Sequence, residues 1–269
     1  MIKIAILDLY EGHANEGMRC IKQIIDQFKT DNNLPIVHDE FEVRLSNNVP
    51  DLSYDIYISS GGPGSPLESE DVEWEVNYFR FIERLQRWNA EEGTRKKHVL
   101  FICHSFQLAC RHFRIAQIAK RKSTAFGVFP VHLLPDGKNE RLFDGLPDPF
   151  YVVDSRDYQV IQPDLEQIRK QGAKILCIEK ERPHVPLERA IMSVRFNDYM
   201  VGVQFHPEAD AKGMLVHLEN PVKKQNIIER YSFEKWQSIV EALSNPEKIL
   251  WTYETMLPNF LKNAIEKER

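Results

Sequence analysis

With 269 residues, 42% of them hydrophobic, the chain is long enough to bury a full core as one large domain or as one domain with an appendage. Its formal charge of −5, with Lys and Arg interspersed among Asp and Glu, leaves no basic face for a nucleic acid. The opening MIKIAILDLY lacks the basic region and cleavage site of a secretory leader, and no apolar run approaches the ~18 residues of a membrane span, so a soluble, cytoplasmic protein with no membrane contact is expected.

Three apolar runs of strand length come first: IKIAILDLY at 2–10, YDIYISS at 54–60 and HVLFIC at 98–103. They are nearly continuous rather than alternating, as parallel strands covered on both faces are. Between the last two, Trp74, Tyr78, Phe81, Ile82, Leu85 and Trp88 recur at helical spacing behind Glu70, Asp71 and Glu73, which suit a helix N-terminus. From about 124 to 206 the pieces are shorter and β-like: AFGVFPVHLL, PFYVVDS, KILCIEK, AIMSVRF and YMVGVQF, several of them expected as antiparallel additions. The charged, proline-bearing EKERPHVPLER at 179–189 reads as an exposed loop. After 210 the pattern turns helical, with Ser232 opening one helix and Asn245–Pro246 the last. The expected fold is α/β, a doubly wound, mostly parallel, flavodoxin-like sheet over residues 1–210. A helical extension over 211–269 packs on it or on a second copy in a homodimer.

Four cysteines, Cys20, Cys103, Cys110 and Cys177, form no CxxC pair, and in a reducing compartment they are thiols. Neither GxxxxGK[ST] nor GxGxxG occurs, so no ordinary nucleotide cradle is visible. A lone buried cysteine is a small hydrophobe. Cys103, however, stands where a strand passes directly into a helix-compatible segment, the placement of a nucleophile elbow. A helix N-terminus there favours a thiolate and aims N–H groups at a developing oxyanion. A second strand, YMVGVQF, ends in His206, Pro207 and Glu208; proline stops the strand and leaves an imidazole at the sheet rim with a carboxylate to orient it. A third ends in SGGPGSP, where Gly61, Gly62 and Gly64 let backbone N–H groups approach a ligand.

SGGPGSP, VLFICHSFQL and GVQFHPE, in that order and at those separations, resemble the glutamine-hydrolysing domain of the triad-type (class I) glutamine amidotransferases, in texture nearest to the GMP synthase glutaminase domain. The resemblance covers about residues 1–210. It implies a catalytic Cys103–His206–Glu208 triad, an oxyanion hole from the backbone N–H groups of Gly62 and His104, and substrate contacts from Gly64 and Gln107. SRDYQV at 155–160 corresponds to the family's S-H-x-D-x-V, so main-chain groups of Ser155, Asp157 and Tyr158 would hold the substrate's amino-acid end. Neither metal nor cofactor is implied. The implied activity is hydrolysis of the glutamine side-chain amide through a cysteine thioester, with ammonia passed to a separate synthetase.

The chain departs from the family pattern in having Phe101 and Ser105 where the elbow has glycine, Arg156 where histidine is usual and Tyr158 where an acid is common. Phe101 has to be absorbed by repacking. Two further readings follow: a γ-glutamyl peptide or amide hydrolase with the same triad, or a binding subunit whose pocket Phe101 and Arg156 have closed.

Overall fold

The computed structural model describes residues 1–13, 15–184 and 186–267. The chain runs β1 (Ile2–Asp8), α1 (Glu16–Asp31), β2 (Ile36–Glu42), β3 (Ile56–Ser59), α2 (Glu73–Ala90), β4 (His98–Ile102) and α3 (His104–His112). It continues through β5 (Ala116–Leu133), β6 (Phe150–Pro163), α4 (Leu165–Gln171), β7 (Lys174–Glu179), β8 (Ile191–Asn197) and β9 (Met200–Val203), then α5 (Ala211–Glu219), α6 (Pro221–Arg230), α7 (Phe233–Ser244) and α8 (Pro246–Glu266). Among the described residues the nine strands join one sheet in the order β2-β1-β3-β4-β9-β8-β6-β5-β7.

The first five strands in that order pair in parallel. Their side chains alternate between two faces, and each face is covered. Ile4, Ile6, Ile58, Leu100 and Ile102 meet Ile21, Ile24, Ile25 and Phe28 of α1, whereas Ala5, Leu7, Tyr57, Val99 and Phe101 meet α2 and α3. Fully covered strands need apolar residues on both sides, which is why they read as continuous runs. β2 escapes that reading because it is an edge strand, IVHDEFE, mostly open to solvent.

The expected predominance of parallel pairing does not hold. β8, β6, β5 and β7 are antiparallel, and β8 also pairs with β7, so these four strands close on themselves. The cause lies in β5 and β6, 18 and 14 residues long, which pair with each other from Ala116 opposite Pro163 to Val131 opposite Phe150. EKERPHVPLER is an irregular, largely exposed connection among its described residues, but its first residue, Glu179, is buried; Val185 lies outside the described residues. There Glu179 accepts from Arg121, Arg156 and Arg182, and against the opposing effect of burial these guanidiniums hold its carboxyl below the ordinary value.

Ser232 caps α7, its hydroxyl accepting from the Lys235 N–H at 3.1 Å. The helices after residue 210 pack on this chain. α8 buries Met256, Leu257, Phe260 and Leu261 in the same core as α1, and α5 and α7 bury Leu218, Ile239 and Leu243 against Val153 of β6. No helix among the described residues is long and apolar enough to cross a membrane.

Because Leu261 is fully buried, Leu261→Ala is expected to cost about 2–5 kcal/mol. Chemical denaturation should record this as a lower midpoint in one shared transition; a separate transition for the C-terminal helices would contradict the common core.

Candidate active site

β4 and β9 are neighbouring parallel strands, so the residues that follow them emerge side by side at the same sheet edge. Cys103 turns the chain from β4 into α3 with φ 51° and ψ −101°, a left-handed conformation costly for a side-chain-bearing residue. Three bonds hold it. The Cys103 N–H donates to the Val203 carbonyl at 2.8 Å, the Ile102 N–H donates to Ser105 Oγ at 2.8 Å, and the same hydroxyl donates to the Ser59 carbonyl at 2.8 Å. Ser105 thus ties β3, β4 and the first turn of α3 together. Phe101 is accommodated on the neighbouring strand: it pairs in register with Gly202, where a Cβ would stand 3.3 Å from Phe101 Cβ and 2.6 Å from Phe106. Its ring packs edge-on to Phe196.

After β9 the His206 N–H donates to the Val153 carbonyl at 2.9 Å, fixing the backbone at the rim. His206 Nδ1 and Glu208 Oε1 are 2.8 Å apart, and Glu208 is buried. Cys103 and the same imidazole line one cavity, and Cys103 favours the protonated ring. Gly61 closes over both. A Cβ there would stand 2.9 Å from His206 Cε1 and 3.6 Å from Cys103 Cβ, so only glycine leaves the ring its place. Gly62 is pressed as tightly on the Leu9 carbonyl, 2.4 Å from where its Cβ would be.

Burial favours neutral imidazole at His206, but the neighbouring Cys103 and Glu208 outweigh it and hold the group well above its ordinary value of 6.5. His206 is therefore poised to hold a proton between Cys103 and Glu208. His104 is the opposite case: burial, with Arg44 and Arg111 nearby, depresses it to about 3, so its side chain is neutral. Burial, followed by Glu208 and Cys103, keeps the Tyr10 phenol protonated.

Cys103, His104, Gln107, Gly62, Gly64, Ser155, Asp157, Tyr158 and His206 all line one cavity of about 380 Å³, with Glu208 behind His206. Cys103 is only 6% exposed, yet it forms part of this wall. The Cys103 thiol faces the Ser155 carbonyl at 3.9 Å, and Gln107 Nε2 donates to the Tyr158 carbonyl at 3.2 Å. Arg156 does not plug the cavity: its guanidinium is held by Asp154 at 2.9 Å and Glu179 at 3.3 Å.

The sequence left several members unassigned. Gln204 is fully buried, accepts from Gln107 at 3.0 Å and directs its own amide to the Cys103 sulfur at 3.8 Å. Its signal was a polar residue within the apolar run YMVGVQF, directly after β9. Arg44 donates to the Pro63 carbonyl at 2.7 Å and so holds the glycine loop. Tyr10, Thr124, Arg230 and Tyr231 also line the cavity, from places no short motif marks.

The family Glutamine amidotransferase class-I matches residues 18–222, and the chain belongs to that family. A homoserine O-acetyltransferase of Bacillus licheniformis is 29% identical over 159 residues, 59% of this chain and 49% of that protein. The chain thus matches about half the length of this curated relative. A glutamine amidotransferase structure from Thermotoga maritima superposes with TM-score 0.69 at 18% identity, covering 98% of each chain. A putative GMP synthase component from Thermoplasma acidophilum does so with TM-score 0.57 at 16% identity, covering 99% of this chain and 96% of the other. At these identities the structural likeness is one of fold.

His104 yields a stability prediction. Between pH 6.5 and about 3 the unfolded chain binds a proton at this residue that the folded protein refuses. Stability therefore falls on acidification through that window. His104→Gln should flatten that acid limb in denaturation midpoints measured against pH; an unchanged limb would contradict the buried neutral ring.

Proposed function

We propose that this protein is a glutaminase of the amidotransferase type, with Cys103 as nucleophile, His206 as acid–base and Glu208 as orienting carboxylate. The observation that carries this reading is the elbow cysteine sharing one cavity with an imidazole whose Nδ1 is held by a buried carboxylate. Cys103 attacks the side-chain amide carbon of glutamine. The N–H groups of Gly62 and His104 receive the oxyanion, in a cavity where such donors act at low dielectric. His206 gives its proton to the departing nitrogen, and ammonia leaves. The thioester on Cys103 is then attacked by water, deprotonated by His206, and glutamate is released. Gly64 and Gln107 flank the substrate, and backbone groups of Ser155, Asp157 and Tyr158 receive its amino-acid end.

In this reading residues 1–210 form the catalytic unit and 211–269 a covering appendage. Ammonia passes to a separate synthetase, in a cytoplasm reducing enough to keep the thiols free. The open cavity beside Cys103 argues against an inactive binding subunit. γ-Glutamyl amides would use the same chemistry, with an amine in place of ammonia as leaving group.

A second reading rests on the likeness to homoserine O-acetyltransferase. There the acyl group on Cys103 would come from an acetyl ester or thioester and pass to a hydroxyl. Glutamate release from glutamine, set against acetyl transfer from an acetyl thioester to homoserine, separates the two.

Cys103→Ala should abolish glutamate release; undiminished turnover would remove the cysteine from the reaction. Gly61→Ala, which drives a methyl group toward His206, should lower glutamate release about 100-fold by misplacing the imidazole. Rates within a few-fold of the parent would show that the ring tolerates the shift.

A further inference from the structure

The catalytic cavity has a wall that the family match does not include. α6 ends at Arg230, eight residues beyond the matched segment, and Arg230 and Tyr231 both line the cavity. Their position is fixed by stacking. The Tyr231 ring lies on Phe126 of β5 at 5.2 Å and 10°, and Phe126 pairs in register with Ser155, the residue whose carbonyl faces the cysteine thiol. The Arg230 guanidinium sits over the Tyr231 ring at 5.4 Å. Its Nη2 is 3.9 Å from Asp157 Oδ2, while Thr124 holds the other oxygen of that carboxylate.

We infer that the side chains of Asp157 and Arg230 form a subsite for a zwitterion, Asp157 taking an α-ammonium and Arg230 an α-carboxylate of the substrate. The inference rests on the glutaminase reading for the identity of that substrate. Two features support it. Asp157 lies two residues along β6 from Ser155, roughly 7 Å of extended strand. Glutamine sets about 4 Å of extended chain between its carbonyl carbon and its α-carbon, and its α-ammonium together with the Asp157 side chain, which leaves the same face of β6 as Ser155, spans the remainder. Second, both groups are about half or more exposed and their mutual contact is long. Such a pair contributes little to stability, so each partner is free to exchange the other for a ligand charge, and a guanidinium matches a carboxylate with two parallel bonds.

The subsite makes the C-terminal helices a specificity element: substrates with a free α-carboxylate are accepted, and those blocked there are rejected. Substituents on the side-chain nitrogen, at the other end of the cavity, are not read by it.

The test is binding of L-glutamine and of its α-carboxamide to the Cys103→Ala protein, by calorimetry, with and without a change at Arg230. The parent should prefer glutamine. Arg230→Met should weaken glutamine binding about tenfold or more and leave the α-carboxamide unchanged, and Arg230→Lys should fall between. Equal binding of the two ligands by the parent, or a preference that survives Arg230→Met, would overturn the subsite. Glutamate release by the protein with Cys103 intact decides the glutaminase reading separately: an Arg230-dependent preference without turnover would leave the subsite standing and end that reading.

Discussion

The turn at Cys103 is the constraint on which the site depends. A cysteine held at φ 51° cannot relax into the helix behind it or the strand before it, because its N–H is bonded to β9 and the preceding N–H to Ser105. The bond to Val203 has a second consequence. It locks β4 to the strand that carries His206, so sulfur and imidazole are set by one short path of backbone hydrogen bonds. Residues distant in sequence are thereby placed by the stiffest part of the fold.

Around that turn the packing is arranged to leave room. Gly61 and Gly62 allow the loop after β3 to press against the ring and against Leu9, and Arg44 fixes the loop from outside. The charges are placed as tightly. Glu208 is buried with its Oε1 on His206, and its Oε2 has no hydrogen-bond partner among the described residues. Against the effect of burial, Cys103 and Glu208 together hold His206 well above its ordinary value, which ties the protonation of His206 to the integrity of the pair.

The parallel half of the fold was legible because strands buried on both faces must be apolar throughout, and Cys103, His206 and the glycine loop each follow such a strand. β2 was not legible, since an edge strand has little to bury. The antiparallel half was read as short additions because the early part of β5, AQIAKRKST, is polar and half-exposed, so its periodicity does not announce a strand of 18 residues. Within the site, residues fixed by local sequence were found, whereas those brought in by tertiary packing, Tyr10, Arg44, Thr124, Arg230 and Tyr231, had no local signature. Arg156 shows the converse: it borders the cavity with its neighbours in the motif, but its guanidinium is claimed by Asp154 and Glu179.

The reaction we propose reduces to a covalent bond at one sulfur. Mixing the protein with glutamine, quenching in acid and mapping the adduct by peptide mass tests it most directly. A glutamyl group carried as a thioester on Cys103 is the predicted result; glutamate accumulating with the adduct on another residue, or with none at all, would contradict it.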